Sequence, residues 1–251
     1  MKDKYFLELQ IKKIDNKFAK SFMSIHHYTH TCPKCTIAYG IYYENELQCM
    51  IVYGQPSGKY LAKSIWEGGN ETECLELLRL FSFDNCPKNI ESWSISKSIK
   101  ELRKDMPQVK VLVSYADKSA GHIGYIYQAS SWLFVGTGSN ECKIFIDGER
   151  QHRRTLYDKY GTSSITYLKK ALGNRLKVEK ERTCKNKYIK IIKDNKNLQK
   201  LLKCKSLQYP KGDIKYYNSD YNEYDNGCGE IKKREKQISM FGEYKNEQTS
   251  K

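Results

Sequence analysis

Residues 111–132 read VLVSYADKSAGHIGYIYQASSW, and the change of pattern inside this stretch decides the fold. Its first half is a short continuous apolar run that ends in polar residues, which is typical of a buried central strand. The spacing that follows, weakened at its start by Gly121 and Gly124, predicts a helix. A central strand followed by a helix indicates a sheet that binds ligands beyond the carboxyl ends of its strands.

The polar residues near the end of this strand are therefore candidate site residues. The carboxylate of Asp117 can orient or deprotonate an amine, and the hydroxyl of Tyr127 can hold or protonate a leaving oxygen. Ser114, Tyr115 and Gln128 are candidates for binding substrate or donor beside them. The alternative is that Asp117 caps the helix and Tyr127 is a core aromatic residue, and the spacing alone does not exclude it.

The flanking sequence predicts further strands and helices. KYFLELQIKKID near the N-terminus predicts a first strand, and residues 16–25 have helical spacing with Phe18, Phe22 and Ile25 on one side. TIAYGIYYENELQCMIVYG predicts a β-hairpin that turns at Glu44 and Asn45. Other predicted strands are ECLELLRLFSF, LFVGTG, CKIFIDG and KYIKII, and other predicted helices follow Asn89 and lie at SSITYLKKALG and NLQKLLKC. The fold class is α/β (α+β), with a mixed, partly antiparallel sheet flanked by helices.

Positive charge is concentrated in one block of the chain. The 251 residues carry 44 Lys+Arg and 29 Asp+Glu, a formal charge of +15. Residues 150–211 hold 19 basic and four acidic side chains, whereas the sequence on either side is close to neutral. We therefore predict a catalytic core (1–148), a basic extension packed on it (149–215) and a flexible tail (216–251) that is poor in aliphatic residues.

The basic block is a candidate nucleic-acid-binding surface, because a local positive field of this strength attracts polyanions. Its Arg and Lys residues are interleaved with Tyr, which suits phosphate contact combined with base stacking. The candidates are Arg150, Arg153, Arg154, Lys169, Lys170 and Arg175. The alternative is a lysine-rich face that is merely solvated.

The cluster HHYTH (26–30) precedes Cys32 and Cys35. Cys-x-x-Cys is half of a zinc site, but nearby histidines at this spacing would strain a tetrahedral cage. The two cysteines are therefore weak metal candidates, and free thiols in a surface turn are the favoured prediction. His27 and Tyr28 lie beside the predicted cleft and are candidate catalytic residues.

A helix N-terminus follows the turn DNCPKN (84–89). Such a terminus can hold an anion when a lysine such as Lys88 lies beside it, and Glu91 and Ser92 occupy its first turn. These three residues are further candidates for binding substrate or donor.

Several classes of protein are excluded by composition. No run approaches the roughly 18 apolar residues of a membrane helix, and the N-terminus lacks the features of a signal peptide. The nine Cys are then expected to be reduced thiols. We expect a soluble cytoplasmic protein without a membrane partner.

Taken together, these strings resemble the Mom family of bacteriophage DNA-modification proteins. The resemblance covers roughly residues 20–215 and is most specific in SYADKSAGHIGYIYQA. The other matching strings are HHYTH, YGQPSG, LELLRLFSFDNCPKNIESWSIS, Arg-Thr-Leu-Tyr with Tyr160-Gly161, and KYIKII followed by YPKGD. The resemblance implies a fold similar to the GNAT acyltransferases. It also implies an activity that converts the 6-amino group of adenine in DNA to a carbamoylmethylamino group, which shields phage DNA from host restriction.

The resemblance assigns roles to individual residues as well. The family's His-Tyr pair matches His27 and Tyr28, its aspartate matches Asp117, and its tyrosine matches Tyr127. Neighbouring positions of the family motifs match Ser114, Glu91 and Ser92. The CPKC segment (32–35) and the tail depart from the family pattern, and no function is carried onto them.

The donor and the partners follow from the same resemblance. GNAT acyltransferases hold the CoA pyrophosphate with a Gln/Arg-x-x-Gly-x-Gly/Ala loop, whereas the equivalent turn here lacks those glycines and carries Pro87 and Asn89. This favours glycyl-tRNA over acetyl-CoA as donor, with double-stranded DNA as the acceptor, in the host cytoplasm. The sequence leaves a homodimer open. The alternatives are a CoA-dependent N-acetyltransferase and a non-catalytic DNA- or RNA-binding protein.

Overall fold

A seven-stranded sheet forms the centre of the protein. The computed structural model describes residues 2–58, 60–118, 121–138, 141–151, 153–181 and 185–212, together with 223–225 and 231–233. The strands of the sheet are β1 (Gln10–Ile14), β2 (Ile37–Tyr43), β3 (Glu46–Gly54), β4 (Cys74–Ser82), β5 (Val111–Asp117), β6 (Leu133–Thr137) and β10 (Lys185–Ile191). They lie in the order β1-β2-β3-β4-β5-β10-β6.

The sheet is mixed. Strands β1 to β4 are antiparallel to their neighbours, β4 and β5 are parallel, and β10 lies antiparallel between β5 and β6. The predicted hairpin is β2–β3, and its turn residues Glu44 and Asn45 have φ values of 48° and 65°. These left-handed values are what a two-residue hairpin turn requires. The predicted sheet, mixed and partly antiparallel, is confirmed.

Helices cover both faces of the sheet. They are α1 (Lys2–Glu8), α2 (Asn16–His26), α3 (Leu61–Ile65), α4 (Ile90–Asp105), α5 (Tyr125–Ala129) and α8 (Asn195–Leu201). Helices α1, α4 and α5 pack on one face, here called the α4 face, where Leu77, Leu112 and Tyr127 share a buried cluster. Helices α2, α3 and α8 pack on the opposite α2 face, against clusters that include Val52 and Val113. Two apolar layers therefore enclose the sheet.

The strand predicted at the N-terminus is wrong in its first half, where the structure has helix α1. Tyr5 and Leu9, about one helical turn apart, are both buried on the α4 face, while Leu7 is 84% exposed. Burial of one helical stripe thus outweighs the alternating pattern. In α2 the predicted apolar side is also partly wrong, because Phe22 is buried but Ile25 is 49% exposed.

A second sheet of three strands is inserted between β6 and β10. Its strands β7 (Glu141–Ile146), β8 (Glu149–Gln151) and β9 (Leu176–Glu181) lie in the order β8-β7-β9, with helices α6 (Arg153–Tyr160) and α7 (Ile165–Leu172) between β8 and β9 in the chain. It has its own apolar cluster, formed by Ile144, Ile146, Leu156, Leu168 and Leu176. Residues 141–181 are called the insert below.

Strand β10 lies in the segment that the sequence assigns to the basic extension, yet it is an interior strand of the central sheet. The reason is its apolar content, since Tyr188 and Ile189 are fully buried. The core therefore takes a strand from beyond the insert, while the division of the chain at residues 149 and 216 stays a prediction. In the predicted tail, the structure describes only β11 (Glu223–Asp225) and β12 (Ile231–Lys233), an antiparallel pair.

Candidate active site

The central feature of the candidate site is a gap between β4 and β5. These strands are paired only where Cys74–Glu76 face Val111–Val113. Beyond these residues β4 continues along β3 and β5 continues along β10. Ser114 is the first residue of β5 past the paired region, and its Oγ donates a hydrogen bond of 2.9 Å to the Leu77 carbonyl across the gap. A side chain thus satisfies a carbonyl that the lost backbone pairing would leave unbonded.

Tyr127 reaches this gap from α5 on the α4 face. Its hydroxyl lies 2.7 Å from Ser114 Oγ, and its ring packs against Trp132 and Tyr188 with centroid distances of 5.2 Å each. The residue is 8% exposed. Burial raises the pKa of its phenol to about 12. Tyr127 is therefore a neutral phenol at physiological pH, able to donate a proton or a hydrogen bond.

Asp117 reaches the gap from the other side. It ends β5, and strand alternation places it with Tyr115 on the α2 face, where it is half-buried. Its backbone carbonyl accepts a hydrogen bond of 3.0 Å from the His122 N–H. Burial raises the pKa of Tyr28, and the charge of Asp117 raises it further. Burial lowers the pKa of His122, and the charge of Asp117 opposes that lowering. The carboxylate thus lies near Tyr28 and His122.

His27 and Tyr28 follow α2 and stack on each other with ring centroids 4.4 Å apart. His27 is 8% exposed, and burial lowers its pKa to about 3, with further lowering by Arg79. Thr29 holds the ring, because its backbone nitrogen and its Oγ1 lie 3.2 and 2.9 Å from His27 Nδ1. The ring of Tyr28 lies 5.1 Å from that of His122. A neutral imidazole and two further rings therefore line the α2 side of the gap.

The structure links the four predicted catalytic residues through Tyr28. The Tyr28 hydroxyl interacts electrostatically with Asp117, and it also raises the pKa of Tyr127 after burial, the largest cause. Asp117 and Tyr127 themselves approach the gap from opposite faces of the sheet. Ser114 is bonded to Tyr127 rather than to Asp117. The four residues surround one gap, and their catalytic roles stay predictions.

Sequence reasoning missed Glu76, Arg79 and His122. Burial raises the pKa of Glu76 to about 7, against the opposing effects of Arg79 and Lys185. The Arg79 side chain donates from Nε to the Thr31 carbonyl at 2.8 Å, which ties β4 to the segment after Tyr28. Glu76 and Arg79 could have been found from the sequence, because they are two charges inside the otherwise apolar strand LELLRLF. Charged side chains are rarely buried unless they have a partner or a function.

Tyr115 and Gln128 differ in position. Tyr115 lies on the α2 face, where burial, and then the charge of Glu76, raise its pKa to about 12. Gln128 donates from Nε2 to the Tyr188 hydroxyl at 3.2 Å and to the Pro210 carbonyl at 3.3 Å. Gln128 therefore anchors the segment around Pro210 to α5.

Lys88, Glu91 and Ser92 lie at the N-terminus of α4. Lys88 is exposed, the Glu91 carboxylate accepts a hydrogen bond of 2.9 Å from Ser82, and Ser92 Oγ donates to the Asn89 carbonyl at 3.1 Å. The structure thus places them at the start of α4, on the α4 face.

Ser92 lines a groove of about 530 Å³ between α4 and α5. The groove also contains Trp93 and three cations, Lys100, Arg103 and Lys190. Arg103 Nε donates to the Ile192 carbonyl at 2.7 Å, and Lys190 Nζ donates to the Ser130 carbonyl at 2.9 Å, which holds both cations in place. Because α5 also carries Tyr127, the groove lies on the same face as the phenol.

Cys32 and Cys35 are free cysteines. Burial raises the pKa of both thiols, that of Cys35 to about 12, and Cys35 Sγ donates to Asn16 Oδ1 at 3.2 Å. A zinc ligand must be a thiolate, which this environment disfavours. Across the described part of the chain, no three His, Cys, Asp or Glu side chains are grouped so that they could hold a metal ion.

The predicted nucleic-acid-binding residues all lie on the insert. Arg150, Lys169 and Lys170 are exposed. Arg175 forms an ion pair of 2.6 Å with Asp147. Arg153 and Arg154 begin α6, and their side chains lie outside the described part of the structure. None of the helices in the described segments has the length and apolar character needed to cross a membrane.

The fold and the gap define a mixed α/β protein with polar side chains at the carboxyl ends of two central strands, where the pairing of these strands stops. The chain belongs to the Mom protein family, whose sequence model matches residues 8–211. It is 27% identical over 210 residues to "Methylcarbamoylase mom" of Escherichia phage Mu, covering 81% of this chain and 84% of the relative.

Solved structures that match the fold are acetyltransferases. Arabidopsis thaliana NAA60 aligns with a TM-score of 0.43 and 9% identity, over 73% of this chain and 97% of that chain. An N-acetyltransferase from Staphylococcus aureus Mu50 aligns with a TM-score of 0.38 and 13% identity, over 73% and 97%. A GNAT family acetyltransferase from Elizabethkingia anophelis aligns with a TM-score of 0.37 and 11% identity, over 73% and 98%.

Proposed function

We propose that this protein transfers a two-carbon unit to the 6-amino group of adenine in DNA, giving a carbamoylmethylamino group that protects phage DNA from host restriction. Membership of the Mom family and the name of the phage Mu relative support this reaction. The structural observation that carries the proposal is the gap between β4 and β5, which Asp117 enters from one face and Tyr127 from the other.

The acceptor adenine occupies the α2 side of the gap. Its amine is a weak nucleophile, because the lone pair is delocalised into the ring, and the base must leave the duplex stack to reach a protein site. Asp117 accepts a hydrogen bond from the amine and orients it. The rings of Tyr28 and His122 provide stacking surfaces for the extruded base. Neutral His27 offers a ring N–H as a hydrogen-bond donor without adding a positive charge.

The donor occupies the α4 side. An aminoacyl ester such as glycyl-tRNA fits this arrangement, because attack by the amine forms a tetrahedral oxyanion and releases a ribose oxygen that needs a proton. The neutral phenol of Tyr127 supplies that proton or hydrogen bond, and Ser114 fixes its hydroxyl. The groove with Ser92, Trp93 and Lys100 offers cations and an aromatic face to the RNA terminus.

The atoms of the transferred unit agree with this donor. A glycyl group on the adenine amine and a carbamoylmethyl group are isomers. Acyl transfer is followed by a rearrangement in which the glycyl amine forms a bond to C6 of the purine and the bond between C6 and the original nitrogen breaks. This sequence gives the modified base without another reactant. Acetyl-CoA would instead supply an acetyl group that lacks the nitrogen.

Mass spectrometry of nucleosides from the DNA of cells that express this chain tests the proposal. We expect a deoxyadenosine whose mass is increased by a carbamoylmethyl group. An acetylated product together with CoA binding would instead establish a CoA-dependent N-acetyltransferase. Unmodified DNA despite tight binding would establish a non-catalytic nucleic-acid-binding protein, the function that the positive block alone would support.

A further inference from the structure

The strongest positive charge of the basic block (150–211) lies outside the six residues named above as candidates for nucleic-acid contact. Residues 185–212 contain nine lysines and one acidic residue, Asp194, whereas the insert contains ten basic and six acidic residues. Much of this lysine-rich segment is α8 and the residues that follow it. Lys196, Lys200, Lys203 and Lys205 are all exposed.

We propose that the surface formed by α8, residues 203–205 and the exposed side of α3 binds the phosphate backbone of the DNA duplex that flanks the target adenine. This α8 surface would hold the duplex while the extruded base enters the gap. The proposal rests on the proposed function, because it takes DNA to be the acceptor.

The cations of the α8 surface are free to bind phosphate. Within the described residues, no ion pair involves Lys196, Lys200, Lys203 or Lys205. The insert differs in this respect, since Arg175 is paired with Asp147 at 2.6 Å and Lys177 with Glu179 at 2.8 Å. A lysine without an internal acid can release counterions from DNA, whereas a paired cation must first give up its partner.

The α8 surface is fixed to the core. Leu198 is buried on the α2 face, and Leu202 forms a β-bridge with Trp66 at the end of α3. The Lys203 N–H donates to the Ile65 carbonyl at 2.9 Å, and the Glu67 N–H donates to the Leu201 carbonyl at 2.9 Å. The lysines therefore project from a preorganised backbone, which lowers the entropic cost of binding.

An exposed aromatic residue accompanies the lysines. Tyr60, at the start of α3, is 63% exposed, and Lys63 Nζ lies 5.8 Å from the centre of its ring. Aromatic and cationic side chains side by side suit contact with nucleic acid rather than with an acidic protein surface.

The position of the surface points to the acceptor DNA rather than to the donor. Helix α8 packs over Val111 and Val113 on the α2 face, and Asp117 lies on that face further along β5. At about 3.3 Å per residue, Val113 and Asp117 are roughly 13 Å apart. The α8 surface and the carboxylate are thus on one side of the sheet, while the groove assigned to the donor is on the other.

A charge-reversal experiment tests the assignment. The triple variant Lys196→Glu, Lys200→Glu, Lys203→Glu is compared with the control Lys4→Glu, Lys13→Glu, Lys17→Glu, which makes the same charge change near the far edge strand β1. Affinity for a short DNA duplex is measured as a function of salt. We expect the α8 variant to lose affinity at least about tenfold beyond the control, with a salt slope reduced by about 2 to 3, since each phosphate contact contributes about 0.9.

A neutral variant, a comparison with RNA and nucleoside mass spectrometry complete the test. The neutral variant Lys196→Gln, Lys200→Gln, Lys203→Gln should show a smaller loss in the same direction, with an unchanged melting temperature. If the charge-reversal variant matches the control in affinity and slope, or loses binding to RNA but not to duplex DNA, the inference is wrong. Nucleoside mass spectrometry of the wild type separates this failure from failure of the proposed function, because it reports modification independently of affinity.

Discussion

At the scale of single residues, the site depends on side chains that burial keeps neutral. His27 and Tyr127 are each 8% exposed, and burial moves their pKa values in the directions that favour an uncharged imidazole and an uncharged phenol. Both groups can then donate hydrogen bonds at neutral pH without placing charge against the proposed acceptor base. Asp117 is the acidic member of the set.

The neutral state of His27 predicts a dependence of stability on pH. The folded-state pKa is about 3, below the ordinary 6.5, so between these values the unfolded chain binds the extra proton. The resulting stabilisation is complete above pH 6.5 and is lost on acidification, by at most about 1.4 kcal/mol per pH unit. His27→Gln should reduce this loss, measured as the free energy of unfolding in urea between neutral and mildly acidic pH.

The contribution of Glu76 to stability changes with pH in the opposite direction, so Glu76 provides a control for the effect of His27. Its folded-state pKa is raised to about 7 from 4.5, so its contribution is present at low pH and is lost as pH rises towards 7. The free energy of unfolding should fall more steeply on acidification in Glu76→Gln than in the wild type. In His27→Gln it should fall less steeply. Equal slopes in wild type and His27→Gln would contradict the buried neutral imidazole.

Sequence patterns predicted part of the site at this scale. Asp117, Ser114 and Tyr127 could be predicted because a strand end and the following helix place polar groups at a sheet edge. Glu76 and Arg79 were missed, although the two charges inside the apolar pattern LELLRLF mark them, because the strand pattern predicts that β4 is buried but not what its charged side chains contact. The role of Gln128 in binding substrate or donor stays a prediction, and its amide donates hydrogen bonds to Tyr188 and Pro210.

At the scale of elements, the placement of Tyr127 depends on the start of α5. Gly124 precedes the helix with φ of 88°, in the left-handed region. A Cβ at this position would collide with the ring of Tyr188, which itself packs on Tyr127. Only glycine therefore allows α5 to lie this close to β10.

Gly124→Ala tests this contact, and Gly148→Ala is its matched control. Gly148 has φ of 85° but no atom within 4 Å of the position of an added Cβ, so its substitution adds backbone strain alone. We expect Gly148→Ala to cost about 1 kcal/mol. Gly124→Ala should cost at least about 1 kcal/mol more from overpacking. The measurement is the free energy of unfolding, and equal costs would show that the contact with Tyr188 does not constrain α5.

The helices and strands themselves were predicted more successfully than the pairing of the strands in the sheet. The hairpin at Glu44 and Asn45, strand β5 and helix α4 follow from local patterns. Strand β10 was predicted as a strand, but its place between β5 and β6 depends on a pairing across the whole insert, which periodicity does not encode. The N-terminal helix was missed because its alternation and its helical spacing are both acceptable until the position of the core is known.

At the scale of the whole molecule, the insert begins and ends beside the candidate site. In the central sheet Lys185 is paired with Asp117, and Asn186 is paired with Thr137 at the end of β6. The chain therefore enters and leaves the insert at the same edge as the carboxylate. This arrangement would let the insert contact nucleic acid near the gap.

The ion pairs of the insert predict which of its cations contribute to DNA binding. Lys169 and Lys170 are exposed, whereas Arg175 is paired with Asp147. Lys169→Gln with Lys170→Gln should lower the salt slope of DNA affinity by about 2. Arg175→Gln should change the salt slope by less than about 1. The reason is that Arg175 must give up its ion pair with Asp147 before it can contact a phosphate. A larger effect of Arg175→Gln would show that its pair opens when DNA binds.

The central claim is that Asp117 and Tyr127, entering one gap from two faces, act on an extruded adenine. The most direct measurement is the amount of modified deoxyadenosine in DNA from cells that express the wild type, Asp117→Ala or Tyr127→Phe, with DNA affinity measured for each purified protein. We expect modification by the wild type only, with affinity largely unchanged in both variants. Full modification by both variants would contradict the account.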